Sequence, residues 1–284
     1  MIEIKNLCHA YKNADREVRA VDNVSMTVEK GKTTCIIGHT GSGKSTLIQH
    51  LNGLLKPTSG EVLLDGVNIF GKDVKMKDVR RKVGLVFQYP EYQLFEETVY
   101  KDIAFAPKNY GLSEEEIKEK VYAAAKTVGL KEKYMEKSPF ELSGGQKRRV
   151  AIAGVLAMNP EVLVLDEPAA GLDPFGREKI LYEIEKIRTE RGISVVLVSH
   201  SMEDVAKYAH KVCVMHGGKL ALSGTPEEVF SDSARLEQMR LDVPQIAKIL
   251  SEMRKMGIAV PTDIFNVKDA ANWILQNKET IMKG

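Results

Sequence analysis

The chain has 284 residues, of which 43% are hydrophobic and 28% are charged, as expected for a globular protein with one large domain or one domain and an appendage. Its 41 basic and 39 acidic residues give a net charge of +2, too small to indicate a surface for nucleic acid or membrane lipid. The three scattered cysteines exclude a disulfide framework, the first residues do not resemble a signal peptide, and no apolar run is long enough to cross a bilayer.

The glycine-rich stretch at residues 38–46 fits the pattern G-x-x-x-x-G-K-[ST] in full. An apolar run precedes it and a helix-forming stretch follows it, which is the context that a phosphate-binding loop requires. We expect Lys44 to reach the β- and γ-phosphates of a nucleotide and the Ser45 hydroxyl to hold Mg²⁺. The predicted nucleotide-binding residues of this loop are Gly38, His39, Thr40, Gly41, Ser42, Gly43, Lys44, Ser45 and Thr46.

The segment that follows Gln88 mixes apolar and acidic residues. Such a mixture is suited to a groove with an apolar floor and an acidic edge, which would accept an amphipathic helix that bears arginines. A solvated helix with ordinary charges is the alternative. The predicted groove residues are Glu91, Tyr92, Leu94, Phe95 and Asp102.

Two further motifs follow in order along the chain. The pentapeptide Leu142, Ser143, Gly144, Gly145 and Gln146 opens a helical stretch, where it offers N–H groups and a hydroxyl to an anion; alone, it would be interpreted as an ordinary helix N-cap. The apolar run at 162–165 predicts a strand buried on both faces of a parallel sheet. It ends in Asp166, which suits the second Mg²⁺ coordination shell, and Glu167, which suits a base that polarises water.

Beyond residue 224 an apolar stripe with helical spacing continues to residue 253. Pro244 interrupts it, so we expect two helices there. A last helix is predicted from Val267 to Asn277 with Asn266 as its N-cap. These helices either pack on the preceding domain or contact a partner ATPase chain.

Together, these motifs resemble those of the ATP-binding-cassette (ABC) ATPases over roughly residues 1–230. The pentapeptide resembles the family's signature motif, Gln88 its Q-loop glutamine, residues 171–173 its D-loop, His200 its switch histidine and Tyr11 its adenine-stacking aromatic residue. Singly, Gln88, His200 and Tyr11 would be explained as an exposed amide, a packed histidine and a strand-end aromatic. Their shared order favours the functional interpretation.

The resemblance implies an α/β fold of the P-loop NTPase class, with a mixed, largely parallel sheet and a helical subdomain. We expect the cassette at residues 1–230, its helical subdomain at 89–160, and a small helical extension at 231–284. The implied cofactors are ATP and Mg²⁺. The implied roles are metal binding by Ser45, Gln88 and Asp166, and catalysis by Glu167 and His200.

The same resemblance implies a mechanism that needs two chains. The signature residues would cap the ATP of a partner cassette, and the partner's signature would cap the ATP of this chain. One departure from the family pattern is Ala169-Ala170, where the family commonly has Ser or Thr. We expect this change to tune the D-loop and not to abolish catalysis.

The segment after Gln88 closely resembles that of the energy-coupling-factor (ECF) transporter ATPases, and the flanks of the other motifs resemble the second, A-prime type of their paired subunits. This resemblance implies an ATPase peripheral to the cytoplasmic face of the membrane that powers vitamin or metal uptake. Its expected partners are a second ATPase subunit, with a homodimer as the alternative, a transmembrane scaffold and a substrate-binding membrane subunit, and no nucleic acid. An ATPase of another importer class, of the cobalt or nickel type or dependent on a binding protein, is the alternative function.

Overall fold

The computed structural model describes residues 1–13, 16–261 and 263–278 of the chain. A four-stranded antiparallel sheet has the order β2-β1-β4-β5, and its strands are β1 (Ile2–Asn13), β2 (Arg16–Val28), β4 (Ser59–Leu64) and β5 (Val67–Asn68). A six-stranded sheet has the order β10-β9-β3-β8-β7-β6, and its strands are β3 (Thr33–Ile37), β6 (Val83–Val86), β7 (Val162–Asp166), β8 (Ser194–Val198), β9 (Lys211–His216) and β10 (Lys219–Gly224).

The larger sheet is parallel from β9 to β6, and only β10 pairs antiparallel at its edge. Strands β3, β7 and β8 are buried along their whole length, which explains why they are continuous apolar runs in the sequence. The carboxyl ends of parallel strands meet at one edge, where ligands of open α/β sheets bind. The phosphate-binding loop and the residues after β6, β7 and β8 therefore share one edge.

Eleven α-helices are described: α1 (Lys44–Leu51), α2 (Met76–Lys82), α3 (Val99–Asn109), α4 (Glu114–Thr127), α5 (Gly144–Leu156), α6 (Pro174–Arg191), α7 (Met202–Tyr208), α8 (Pro226–Ser231), α9 (Ser233–Gln238), α10 (Gln245–Lys255) and α11 (Val267–Gln276). Helices α3, α4 and α5 pack against one another inside the predicted helical region 89–160. A short 3₁₀ helix, Pro90–Gln93, precedes them and contacts α5. Within the described residues, no helix has both the length and the apolar character to cross a membrane.

The helices after residue 230 divide into two groups by packing. Leu236 and Met239 are buried in the main core, and they share it with Phe230 and Phe265. Helices α10 and α11 contribute to a separate small cluster around Leu250, and Ala247 of α10 also packs against the main core. The predicted break at Pro244 is confirmed, because α10 begins at the next residue. The first part of this region thus packs on the main core, while the domain boundary at 230 stays a prediction and residues 279–284 lie outside the described residues.

Candidate active site

The phosphate-binding loop has a backbone that only glycine accommodates at two positions. Gly38 has φ of 153°, and a Cβ there would lie 2.3 Å from the carbonyl oxygen of Met215. Gly43 has φ of 99°, and a Cβ there would lie 2.2 Å from the carbonyl oxygen of Ala20. Both contacts are with backbone atoms that have no room to move aside. The loop is therefore packed closely against the backbone of two other strands, β9 and β2.

Lys44 is the first residue of α1 and its ammonium lies inside the curl of the loop. Its Nζ donates hydrogen bonds to the carbonyl oxygens of Gly38 at 2.6 Å and His39 at 3.1 Å. Burial lowers the pKa of Lys44, and the nearby carboxylates of Glu167 and Asp166 act against that shift. The hydroxyl of Ser42 is buried without a partner among the described residues. A polar, cationic cradle at a helix N-terminus is suited to phosphate.

Tyr11 of β1 lies beside the same helix. Its hydroxyl is 3.2 Å from the Oγ1 of Thr46, and its ring meets the edge of His9 with 4.7 Å between centroids. His9 Nδ1 is in turn 3.1 Å from Nε2 of His50, whose Nδ1 is 2.7 Å from the carbonyl oxygen of Thr46. Burial lowers the pKa of His50 to about 4, so His50 is neutral at physiological pH. The exposed Tyr11 ring is thereby fixed next to the phosphate-binding loop, where sequence analysis placed an adenine contact.

Asp166 is the last residue of β7 and is buried. Burial raises the pKa of its carboxyl group, and a hydrogen bond from the Ser45 side chain opposes that shift. Two of the three predicted metal residues, Ser45 and Asp166, are therefore in contact at the sheet edge. Hydroxyl and carboxylate oxygens are the ligands that Mg²⁺ prefers, and a cation here would relieve the unfavourable burial of the carboxylate. The donor set fits Mg²⁺.

Glu167 lies at the point where three strand ends meet. Its Oε1 is 2.6 Å from His200 Nε2, and its Oε2 accepts a hydrogen bond of 3.1 Å from Gln88 Nε2. Its own backbone has φ of 48°, an unusual value for a residue other than glycine. A cleft of roughly 400 Å³ opens beside Glu167 and His200. The structure thus brings together three residues that are up to 112 positions apart in the sequence. The amide nitrogen of Gln88 faces Glu167, so this contact does not itself support the metal role predicted for Gln88.

The signature pentapeptide forms the N-terminus of α5. Ser143 is the N-cap and forms a reciprocal capping box with Gln146. Leu142 anchors the turn in the core, while Ser143, Gly144 and Gly145 are exposed. None of the five lines the cleft beside Glu167. The motif therefore presents a hydroxyl and free helix N–H groups to the outside of the chain.

The acidic residues of the predicted groove have partners within the chain. The Glu91 carboxylate is bound by Arg148, with 2.6 Å between Nη2 and Oε1 and 3.0 Å between Nε and Oε2. The Asp102 carboxylate accepts hydrogen bonds from the backbone N–H groups of Phe95 and Glu96. Leu94 is part of the core. Both carboxylates thus have partners within the chain, and the partner of Glu91 is a buried guanidinium group that would otherwise lack a counter-charge.

Exposed aromatic residues remain at this surface. Tyr92 is 84% exposed, and Phe95 and Phe105 are exposed with their rings edge to face at 4.9 Å between centroids. These three aromatic side chains are called the aromatic surface below, and the groove itself stays a prediction.

Arg148 was not among the predicted functional residues, and its side chain is only 2% exposed. Besides Glu91, its Nη1 donates to the carbonyl oxygens of Pro168 and Ala170, both at 2.9 Å. A signal was present, since Arg148 is followed at helical spacing by the apolar residues Ile152 and Leu156, both buried on α5. An arginine in line with an apolar stripe indicates a buried, partnered charge.

Comparison with known proteins adds evolutionary evidence to this geometry. A family profile described as ABC transporter matches residues 21–170. The chain is 55% identical over 284 residues to the energy-coupling factor transporter ATP-binding protein EcfA2 of Clostridium tetani, covering 98% of this chain and 99% of that one. It is 56% identical over 281 residues to EcfA2 of Clostridium acetobutylicum, covering 98% of both.

Solved structures agree. CbiO1 of Clostridium perfringens, described as part of the ABC transporter complex CbiONQ, is 38% identical with a TM-score of 0.74, covering 88% of this chain and 98% of that one. A dimeric ATP-binding cassette, MJ0796, described in a post-hydrolysis state with ADP and Pi, is 31% identical with a TM-score of 0.71, covering 80% of this chain and 99% of that one. The chain therefore belongs to the ABC transporter ATPases, and within them to the ATP-binding proteins of energy-coupling factor transporters, of the EcfA2 type.

Proposed function

We propose that this chain binds and hydrolyses ATP with Mg²⁺ as the ATPase subunit of an ECF-type importer, at the cytoplasmic face of the membrane. The observation that carries the catalytic part is the cluster of Gln88, Glu167 and His200 at the ends of three adjacent strands. These side chains lie at the sheet edge that also holds the phosphate-binding loop. The EcfA2 family supports the importer, and the transported substrate is a vitamin or a metal ion that this chain does not itself contact.

The site residues divide the chemistry among them. Lys44 and the loop N–H groups hold the phosphates, while Ser45 and Asp166 would hold Mg²⁺, which supplies charge neutralisation at the phosphates when bound. Glu167 is the base that orients the attacking water, and His200 holds one of its oxygens. His200 and Gln88 each contact one carboxylate oxygen of Glu167, and the remaining lone pairs of these oxygens can accept a hydrogen bond from the attacking water. Tyr11 stacks on the adenine.

A second ATPase chain completes the site. Ser143 and Gly145 are exposed at the N-terminus of α5 and away from the cleft beside Glu167, so they are available to the γ-phosphate held by another cassette. We infer a heterodimer with a second ECF ATPase, with a homodimer as the alternative. ATP at the two shared sites closes the pair, and hydrolysis opens it.

The exposed aromatic surface of Tyr92, Phe95 and Phe105 is proposed as the contact with the transmembrane scaffold. An amphipathic helix buries its apolar face in such a surface, and arginines of that helix would stack on the aromatic rings. Tyr92→Ala should release the scaffold or uncouple uptake from hydrolysis, with ATP binding unchanged. Tyr182→Ala is the matched control, because Tyr182 is also exposed but lies on α6. Equal assembly and uptake in the two variants would contradict this contact.

The experiment that tests the function is purification of the tagged chain from membranes of cells that express it. An ECF-type complex should contain a second ATPase, a transmembrane scaffold and a small substrate-binding membrane protein. Paired permeases with an external binding protein would assign the chain to another importer class. Vitamin or metal uptake that continues unchanged in Lys44→Ala cells, with the variant protein present in the complex, would refute the powering role.

A further inference from the structure

We propose that Arg148 is a positioning residue for ATP hydrolysis, which ties the segment after Gln88 to the backbone that carries Glu167. The inference rests on the proposed ATPase activity and extends it. Arg148 does not line the cleft beside Glu167, so it would act through other residues and not on the nucleotide. Its side chain spans the space behind that cleft, between the 3₁₀ helix Pro90–Gln93 and the chain after β7.

The contacts of Arg148 use its whole guanidinium group. Nε and Nη2 bind the two oxygens of Glu91, and Nη1 binds the carbonyl oxygens of Pro168 and Ala170. Pro168 follows Glu167 directly, and Glu91 is three residues after Gln88. The segment after Gln88 and the chain after β7 already meet at the hydrogen bond from Gln88 to Glu167. The ion pair of Glu91 and Arg148, called the strut below, therefore makes a second connection between these two segments, behind the site.

The need for such a strut is visible in the backbone. Tyr89 has φ of 53° and Glu167 has φ of 48°, and neither is a residue type that favours this region. Backbone in sparsely populated regions persists only where its surroundings hold it in place. Arg148 binds the chain beside both positions. Only its planar fork of five N–H donors reaches a carboxylate and two carbonyl oxygens together, whereas a lysine ammonium in its place has three donors on one atom.

The strut also connects the aromatic surface to the base. Tyr92 and Phe95 are one and four residues beyond Glu91 in the sequence. A partner that moves this segment would move Glu91, and through Arg148 the carbonyl groups next to Glu167. A shift of about 1 Å in a catalytic group can change the rate on the order of 100-fold. Docking and hydrolysis would thus be coupled through one buried ion pair.

The test compares Arg148→Lys with Arg149→Lys in the ATPase pair purified with its membrane partners. Arg149 is the next residue of α5 and also forms an ion pair, 3.1 Å from Glu183, but it has no contact with the chain around Glu167 among the described residues. We expect Arg148→Lys to lower kcat by roughly 10- to 100-fold with the KM for ATP changed less than about twofold, because the nucleotide contacts stay intact. Arg149→Lys should leave both values close to wild type.

A double-variant cycle separates positioning from loss of stability. Glu91→Gln keeps the size of the side chain and one acceptor, so it should fold and lower kcat on its own. Adding it to Arg148→Lys should lower kcat little further, because the two residues act as one unit. The proposal is overturned if Arg148→Lys and Arg149→Lys lower kcat equally, or if Arg148→Lys raises KM with kcat unchanged. It is also overturned if the decrease in kcat of the double variant equals the product of the decreases caused by Glu91→Gln and Arg148→Lys alone. Wild-type protein without ATPase activity would instead refute the proposed function.

Discussion

Reversing the charge of Glu91 should damage the fold of the isolated chain before it affects any partner. Arg148 is 2% exposed and its charge is balanced by Glu91, which is 15% exposed. A lysine at position 91 leaves that guanidinium without a counter-charge and adds a second cation beside it. Removing one partner of a buried ion pair destabilises a protein by about 3–5 kcal/mol. With roughly 2–4 °C per kcal/mol for a chain of this size, the lower end of that range lowers Tm by about 6–12 °C.

The assay is thermal unfolding of the isolated chain, followed by circular dichroism, for Glu91→Lys and Glu97→Lys. Glu97 is 81% exposed and, among the described residues, pairs with the exposed Lys101 alone, so its reversal should leave the Tm close to that of wild type. A Tm of Glu91→Lys within about 2 °C of the control would refute the pairing on which this magnitude rests. If the drop is found, loss of scaffold binding in Glu91→Lys does not by itself identify a docking groove, and the aromatic variant Tyr92→Ala becomes the informative one.

Four further predictions concern the site and its supports. Glu167→Gln should retain ATP binding and slow turnover by roughly 10²- to 10⁴-fold in the assembled complex; wild-type turnover would sink the assignment of the base. Ser143→Arg should leave nucleotide binding intact but abolish ATP-dependent association of the ATPase pair, and parallel loss of both in separate binding and association assays would contradict the two-chain site. Burial raises the pKa of Asp166, so its charged form opposes folding above that pKa. Asp166→Asn should therefore raise the Tm of the nucleotide-free chain and abolish the further rise in Tm that ATP with Mg²⁺ gives the wild type. A lower Tm of the variant without nucleotide would count against this reasoning. Burial lowers the pKa of His50 from 6.5 to about 4, so the contribution of His50 to stability is fully present above pH 6.5 and is lost as the pH falls toward 4. Between pH 7.5 and 5, the free energy of unfolding of the wild type should fall by about 2 kcal/mol more than that of His50→Gln. An equal dependence of this free energy on pH in the two proteins, measured by urea titration, would exclude this origin.

The catalytic residues were predictable because they follow buried parallel strands. Such strands appear in the sequence as continuous apolar runs, and the residues directly after them must meet at one sheet edge. Asp166 and Glu167 were identified in this way, whereas His200 was identified by its resemblance to the family's switch histidine, and the structure places the three together there. The break at Pro244 and the cap at Asn266 were predictable for a local reason, since each depends only on the residue itself and its helix.

The contacts of the acidic residues were not predictable in the same way. Whether Glu91 faces solvent or a buried arginine depends on how the 3₁₀ helix lies against α5. The two residues in contact, Glu91 and Arg148, are 57 positions apart in the sequence. The pairing of His9 with His50 likewise depends on the register of β1 beside α1. Composition of a segment gives the number of its charges, but only the fold determines which of them are neutralised internally. The internal partners of Glu91 and Asp102 could not be predicted from the sequence for this reason.

The strained backbone at Glu167 has a physical explanation in these internal contacts. A residue other than glycine, asparagine or aspartate with positive φ carries a cost on the order of 1–3 kcal/mol, which the surroundings must offset. The N–H of Glu167 donates to Val198 O at 3.2 Å and its carbonyl oxygen accepts from the N–H of Ala170 at 3.0 Å, which closes a turn immediately after β7. Arg148 then binds the carbonyl oxygen of that same Ala170 from inside the protein. The turn aims the Glu167 side chain away from the strand axis and toward His200 and Gln88, so the strain and the three-residue cluster are two consequences of the same local geometry.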